Sequence, residues 1–176
     1  YRVVLDRTLF FPEGGGQFGD QGWIDGIKVT DTHEKNGVIY HEREAPVAVG
    51  TEVKGELDYK ERFSRMQQHT GEHMLSGIIH CLYGYDNVGF HLGAAETTMD
   101  FNGELTSEQV REVETLANQA VWDNIPVEIL YPTKEELASM DYRSKIEIEG
   151  QVRIVRIGDV DMCACCAPHV SRTGEV

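Results

Sequence analysis

The densest chemistry in the chain lies in His69-Thr70-Gly71-Glu72-His73. Two histidines at i and i+4 project side by side from one helix face, at the separation a single metal ion needs. A second group, Cys165-Cys166-Ala167-Pro168-His169, sets a thiolate and an imidazole four residues apart in a loop stiffened by proline, where both can meet the same ion. His69, His73, Cys165 and His169 together predict a tetrahedral site for Zn2+, which takes mixed nitrogen and sulfur donors, whereas magnesium and calcium want oxygen. The competing reading is a set of buried free thiols beside core histidines. Glu72 stands three residues after His69, so the spacing is not the H-E-x-x-H of metallopeptidases. On the metal face Glu72 can orient or deprotonate a water; the alternative is an exposed helical carboxylate.

Four cysteines are present, and Cys163, Cys165 and Cys166 crowd into four positions. Neighbouring cysteines do not pair easily, and the spacing lacks the spread of a secreted disulfide framework. A reduced, cytoplasmic chain with thiols used for metal or redox chemistry is the expectation. Successive side chains of an extended loop point to opposite sides, so only one of Cys165 and Cys166 faces an ion, while Cys163 shares the parity of Cys165. A thiol redox protein using Cys163 and Cys166 as a C-x-x-C pair is a rival function.

The chain has 176 residues, with 16 Lys+Arg against 30 Asp+Glu and a formal net charge of −14. That length fits one domain or two small ones with a real core. No apolar run approaches the roughly 18–20 residues of a membrane span, and no signal peptide is visible. The chain starts without Met, as a trimmed or processed product would. Its acidity repels a polyanion, so an RNA partner needs a local basic patch. Tyr142-Arg143-Ser144-Lys145, joined by Arg62, Arg65, Arg153 and Arg156, is the candidate patch; ordinary surface charge is the alternative.

The elements that must position these residues fall into two modules. Residues 1–57 read as a small, barrel-like β module. Short apolar stretches (Arg2–Leu5, Trp23–Val29, Val38–His41, Glu52–Leu57) are separated by turn residues, and Gly14-Gly15-Gly16 makes a loop. Residues 58–176 read as an α+β domain with an antiparallel sheet and helices. Asp58 with Glu61 opens a helix whose face carries Phe63, Met66, Thr70, His73, Met74, Gly77, Ile78 and Cys81, and Gly84 ends it. Thr97–Phe101 reads as a strand. Thr106 with Gln109 caps a second helix with Val110, Val113, Ala117, Ala120 and Val121 as its buried stripe. Val127–Tyr131 is a strand, Thr133 with Glu136 caps a short third helix, and Ile146–Glu149 and Val152–Ile157 are further strands.

With these residues in place, the sequence resembles the editing domains of alanyl-tRNA synthetases and their free-standing relatives, the AlaX trans-editing proteins. Met66–His73 is similar to that family's zinc-binding HxxxH, Cys165–His169 to its C-x-x-x-H, and Phe11–Gly22 to its N-terminal glycine-rich motif. The motifs occur in the family's order and cover Asp6 to Glu175. The tail departs from the pattern: the usual C-G-G-T-H is Cys-Cys-Ala-Pro-His here, and the chain stops where relatives continue, as a C-terminally truncated fragment would. The resemblance implies zinc-dependent hydrolysis of Ser, and also Gly, wrongly esterified to tRNA(Ala), acting on the tRNA acceptor end. A synthetic pocket for alanine cannot exclude the smaller glycine and rejects an added hydroxyl poorly, so a second site must discriminate. It places the metal sulfur at Cys165, four residues before His169, and makes Gln17 a candidate catalytic residue beside Glu72. Thr70 is a candidate donor to a seryl hydroxyl, with a bond back to its own helix as the alternative. His91, in Asn87–Gly93, is a candidate substrate contact or reserve ligand, or else a satisfied β-edge residue. A structural zinc module that mediates protein contacts is the other rival.

Overall fold

The structure is a computed structural model that describes residues 1–93, 96–144 and 150–176. The chain divides into two compact units, Tyr1–Arg65 and Met66–Val176.

In the first unit, strands β1 (Arg2–Val3), β2 (Gly22–Ile24), β3 (Ile27–Lys35), β4 (Val38–Arg43) and β5 (Gly55–Leu57) form one antiparallel sheet in the order β1-β4-β3-β2-β5. Two hairpins set its register. Asp25-Gly26 and Asn36-Gly37 all have positive φ, the requirement of the tight turn whose twist matches the flanking strands. The first of these splits the expected single stretch Trp23–Val29 into two strands. The barrel-like expectation holds only loosely. The sheet is open, because its edge strands β1 and β5, of two and three residues, do not pair with each other as closure requires. Phe10, Ile24 and Val29 make the buried core.

The glycine-rich segment is a folded loop. Gly14 and Gln17 exchange both main-chain hydrogen bonds at 3.0 Å, with Gly15 and Gly16 at positive φ between them. Arg62 Nε donates to both Asp20 oxygens at 2.9 Å, and Asp20 Oδ2 accepts Phe11 N–H at 2.6 Å, closing the loop's base. Arg65 donates to Gly19 O at 2.7 Å and lies over the Phe18 ring.

The helix α1 (Tyr59–Tyr83) starts as expected. Asp58 Oδ1 accepts Glu61 N–H at 3.2 Å, and Gly84, at φ +69°, ends the helix. In the second unit follow β6 (Asn87–Leu92), β7 (Thr97–Phe101), α2 (Ser107–Trp122), β8 (Val127–Leu130), α3 (Lys134–Leu137), β9 (Ile154–Ile157) and β10 (Asp161–Ala164). A short 3-10 turn, Thr173–Glu175, ends the chain. The α+β class with antiparallel sheets stands: β10-β9-β8 form one and β6-β7 a two-stranded ribbon. Both expected capping boxes, at Thr106 and Thr133, are formed. The strand expected at Ile146–Glu149 and the basic Lys145 lie outside the described residues.

Burial separates the expected apolar faces. Met74, Ala120 and Ile157 form one cluster, and Ile78, Ile79 and Val113 another, so α1 packs on α2 and on β9. Val110 and Cys81, placed on buried stripes by spacing, are exposed. Gly77 lets α1 approach the turn before β10. A Cβ there would lie 2.3 Å from Val160 O and 2.7 Å from the Asp161 Cβ.

Candidate metal centre

His69 and His73 face the core from the middle of α1, both almost fully buried. Cys165 follows β10 directly, and His169 lies four residues on. The loop between them is held by β9. Arg153, just before that strand, donates through Nη1 to Cys165 O at 2.6 Å and to Ala167 O at 3.0 Å, while Cys165 N–H donates to Arg153 O at 3.1 Å. The ligand atoms of His69, His73, Cys165 and His169 all lie within 4.8 Å of one another. Cys165 Sγ is 3.7 Å from His69 Nε2, and the His169 ring centroid is 4.6 Å from that of His69 and 4.5 Å from that of His73.

The imidazoles of His73 and His169 are held from behind. His73 Nδ1 lies 2.9 Å from Asp161 Oδ2. His169 Nδ1 lies 3.0 Å from Thr70 Oγ1, which also accepts Val170 N–H at 3.3 Å. In each ring Nε2 is therefore the nitrogen left for the cluster. His169 Nε2 is buried and has no hydrogen-bond partner, a position that costs about 1–3 kcal/mol unless a ligand takes it up.

The charges fit an ion. Burial, together with the neighbouring His73, His69 and Arg153, lowers the pKa of His169 well below 6.5, which keeps its imidazole neutral. For His73 burial works downward, but Asp161 and Cys165 outweigh it and raise the pKa to about 9. A cation bound there displaces that proton, as metal binding to a basic imidazole must. Three imidazole nitrogens and one cysteine sulfur are a donor set that suits Zn2+ and is wrong for magnesium or calcium.

His73, Asp161 and Cys163 form a second group of close, buried donors. A guanidinium already fills the cation's place there, since Arg143 Nε donates to Asp161 Oδ1 at 2.8 Å. Burial pushes the Cys163 thiol up to about 12, so it stays protonated. A buried, un-ionised Cys163 and an exposed Cys166 make a poor C-x-x-C redox pair.

Glu72 is buried, which corrects its reading as an exposed helical carboxylate. Its Oε1 accepts from Ser76 Oγ at 2.8 Å and Asn87 Nδ2 at 2.9 Å, and its Oε2 lies 3.8 Å from His73 Nε2. Thr70 is fully buried, with its hydroxyl engaged by the tail rather than bonded back along its helix. His91 is exposed, lies 3.0 Å from Asp100 Oδ2 and is not among the converging donors. Its neighbour Phe90 meets the cluster instead, with its ring 5.2 Å from that of His69. Gln17 belongs to the first unit, where it is fully buried in the glycine turn. A cavity of about 910 Å3 is walled in part by Gly77, Asn87, Arg143, Arg156 and Asp161, three of which belong to the network behind His73 and Glu72.

Among the described residues of the expected basic patch, most guanidinium groups are engaged within the fold. Arg62 is paired with Asp20, Arg65 with Glu61 and Gly19, Arg143 with Asp161, and Arg153 with two loop carbonyls. Arg156 is the more exposed one, 3.8 Å from Glu128. Sequence reasoning missed Asp161, Arg143, Asn87 and Arg153 as supports of the site. The alternation Asp161-x-Cys163-x-Cys165 carried a usable signal, because on a strand it puts all three on one face.

Comparison with known proteins gives the arrangement its context. The family described as tRNA synthetases class II (A) matches residues 1–61, and the one described as Threonyl and Alanyl tRNA synthetase second additional domain matches residues 152–176. The chain is 41% identical over 184 residues to the alanyl-tRNA editing protein AlaX-L of Pyrococcus horikoshii, covering 99% of this chain and 45% of that protein. It is 32% identical over 180 residues to the alanyl-tRNA editing protein Aarsd1 of Mus musculus, covering 100% and 44%. The alanine–tRNA ligase of Halorubrum lacusprofundi matches at 34% over 188 residues, covering 100% of this chain and 20% of the ligase. The chain thus spans less than half the length of these curated relatives. Along its whole length, the chain is similar in sequence to alanyl-tRNA editing proteins and to part of alanine–tRNA ligases.

Proposed function

We propose that the chain is an aminoacyl-tRNA deacylase that edits mischarged tRNA(Ala), removing Ser and also Gly, and that it depends on Zn2+. One observation carries this reading: His69, His73, Cys165 and His169 converge within 4.8 Å in a chain similar throughout to alanyl-tRNA editing proteins. When bound, Zn2+ supplies Lewis-acid polarisation or an anchor for the substrate.

The residues then have distinct tasks. Glu72, its Oε1 fixed by Ser76 and Asn87, holds its carboxylate at one angle beside His73, where it orients a water or takes its proton. Thr70 holds His169 in place. A role for Gln17 in hydrolysis rests on the resemblance, and one for His91 in substrate binding on its place in Asn87–Gly93, just ahead of the strand Thr97–Phe101. The division of labour is between the glycine-rich β module, 1–57, and the zinc-binding module, 58–176. The partner is the acceptor end of tRNA, which places the work in the cytoplasm where tRNA is charged.

The test is deacylation of Ser-, Gly- and Ala-tRNA(Ala) by zinc-loaded protein. Ser and Gly esters should be cleaved and the Ala ester spared. No cleavage of either mischarged species overturns the reading. Four protein donors are also the composition of a closed, structural zinc site. A protein that keeps zinc and never deacylates identifies that second reading.

A further inference from the structure

We infer that Asp161, held in place by Arg143, is a positioning residue that fixes which nitrogen His73 turns toward the donor cluster. This rests on the zinc reading above.

Three segments converge to build it. His73 comes from α1 and Asp161 from the first position of β10, brought close because Gly77 has no Cβ to block the approach. Arg143 is tied alongside β10 by its main chain. Its N–H donates to Met162 O at 2.8 Å and its carbonyl accepts Ala164 N–H at 2.9 Å. Asp161 then bridges the other two: Oδ2 is 2.9 Å from His73 Nδ1, and Oδ1 accepts Arg143 Nε at 2.8 Å. The side chains of Asp161 and His73 are 1% and 3% exposed, so water does not substitute for either partner.

The chemistry of the bridge is directional. An ionised carboxylate only accepts, so the His73 nitrogen facing it must carry the proton. That leaves the Nε2 lone pair for a metal, and the carboxylate's charge makes it a stronger donor. Arg143 supplies the countercharge that keeps Asp161 ionised inside the protein, where an unpaired carboxylate is costly. His169 has a weaker counterpart, the neutral Thr70 hydroxyl, which can donate or accept and so does not by itself dictate the tautomer.

The experiment begins with zinc content and nitrogen-15 NMR of the histidines in the unsubstituted protein. The expected result is bound zinc, with His73 protonated at Nδ1 and metal-bound at Nε2. Chelator competition then compares Asp161→Asn and the double variant Asp161→Asn with Arg143→Gln. Zinc affinity should fall about 10–100-fold in both. The double variant removes the stranded guanidinium, so a merely structural role predicts that it restores wild-type affinity. Zinc bound through His73 Nδ1, unchanged affinity in Asp161→Asn, or full restoration in the double variant each overturns the inference while leaving the zinc reading intact. If the variants do not fold, the NMR result on the unsubstituted protein decides. A wild-type protein that binds no zinc overturns the zinc reading and this inference with it.

Discussion

Thr70 is the residue next to His69 on the helix, yet its hydroxyl serves the tail. Oγ1 lies 3.0 Å from His169 Nδ1 and accepts Val170 N–H at 3.3 Å, with a hundred residues between donor and acceptor. Helix and ligand loop are therefore joined by a hydrogen bond as well as by any ion. Thr70→Val keeps the shape and removes the oxygen, stranding two buried groups. It should cost about 1–3 kcal/mol in thermal unfolding and weaken zinc about tenfold in chelator competition. A variant with wild-type values on both counts removes Thr70 from the support of the site.

About one zinc per chain is expected in protein purified without added metal, and His73→Ala should lose most of it. Exhaustive chelation should abolish deacylation and lower the unfolding midpoint. Protein that works equally well after chelation would rule out a zinc requirement.

The three tail cysteines should separate cleanly. Cys165→Ala should lose zinc and activity, because Cys165 Sγ is the sulfur 3.7 Å from His69 Nε2. Cys166 is exposed and its substitution should leave zinc near normal. Cys163→Ala should keep zinc but lose stability, since a buried side chain is removed. If Cys166→Ala is the damaging change, the ligand loop has been read one residue out of step.

Gly77→Ala should destabilise the second unit by roughly 1–3 kcal/mol, the usual cost of forcing extra volume into a packed contact. Its new Cβ would meet Val160 O at 2.3 Å, main chain that cannot swing aside. Thermal unfolding read at Trp122 measures this, and an unchanged midpoint would show that the helix can shift freely.

A pH dependence should appear in the first unit at His41. The ring is fully buried, with Nδ1 3.0 Å from Val3 O and Nε2 2.8 Å from the Thr8 hydroxyl. Burial lowers its pKa below 6.5, and the Val3 carbonyl only partly opposes this. The unfolded chain then binds a proton before the folded one does. Stability from this site is complete above about 6.5 and is lost as pH falls through the lowered value. Unfolding followed at Trp23 from pH 7.5 downward tests it, and His41→Gln should flatten the profile.

Local chemistry made much of this readable in the sequence. Asp58, Thr106 and Thr133 cap helices through oxygens within three residues of the groups they satisfy, so their spacing suffices. The four donors were legible for the same reason, as two short motifs. Asp161 was not. It meets His73 across 88 residues, through a strand pairing that no local pattern specifies. Arg143 and Arg62 looked like surface charge because the sequence does not show that each has a buried carboxylate waiting for it. The strand β6 was missed because Asn87-Val88-Gly89 breaks the alternation with a register shift.

The clamp that Arg153 places on Cys165 O and Ala167 O grips main-chain atoms and no side chains. The loop's shape is thereby uncoupled from most of its own letters. Position 166 is exposed, whereas position 167 is fully enclosed and admits only glycine or alanine. A loop held through its carbonyls tolerates changes between Cys165 and His169 without moving either one. The residue that cannot drift is an arginine twelve positions upstream of the first of them.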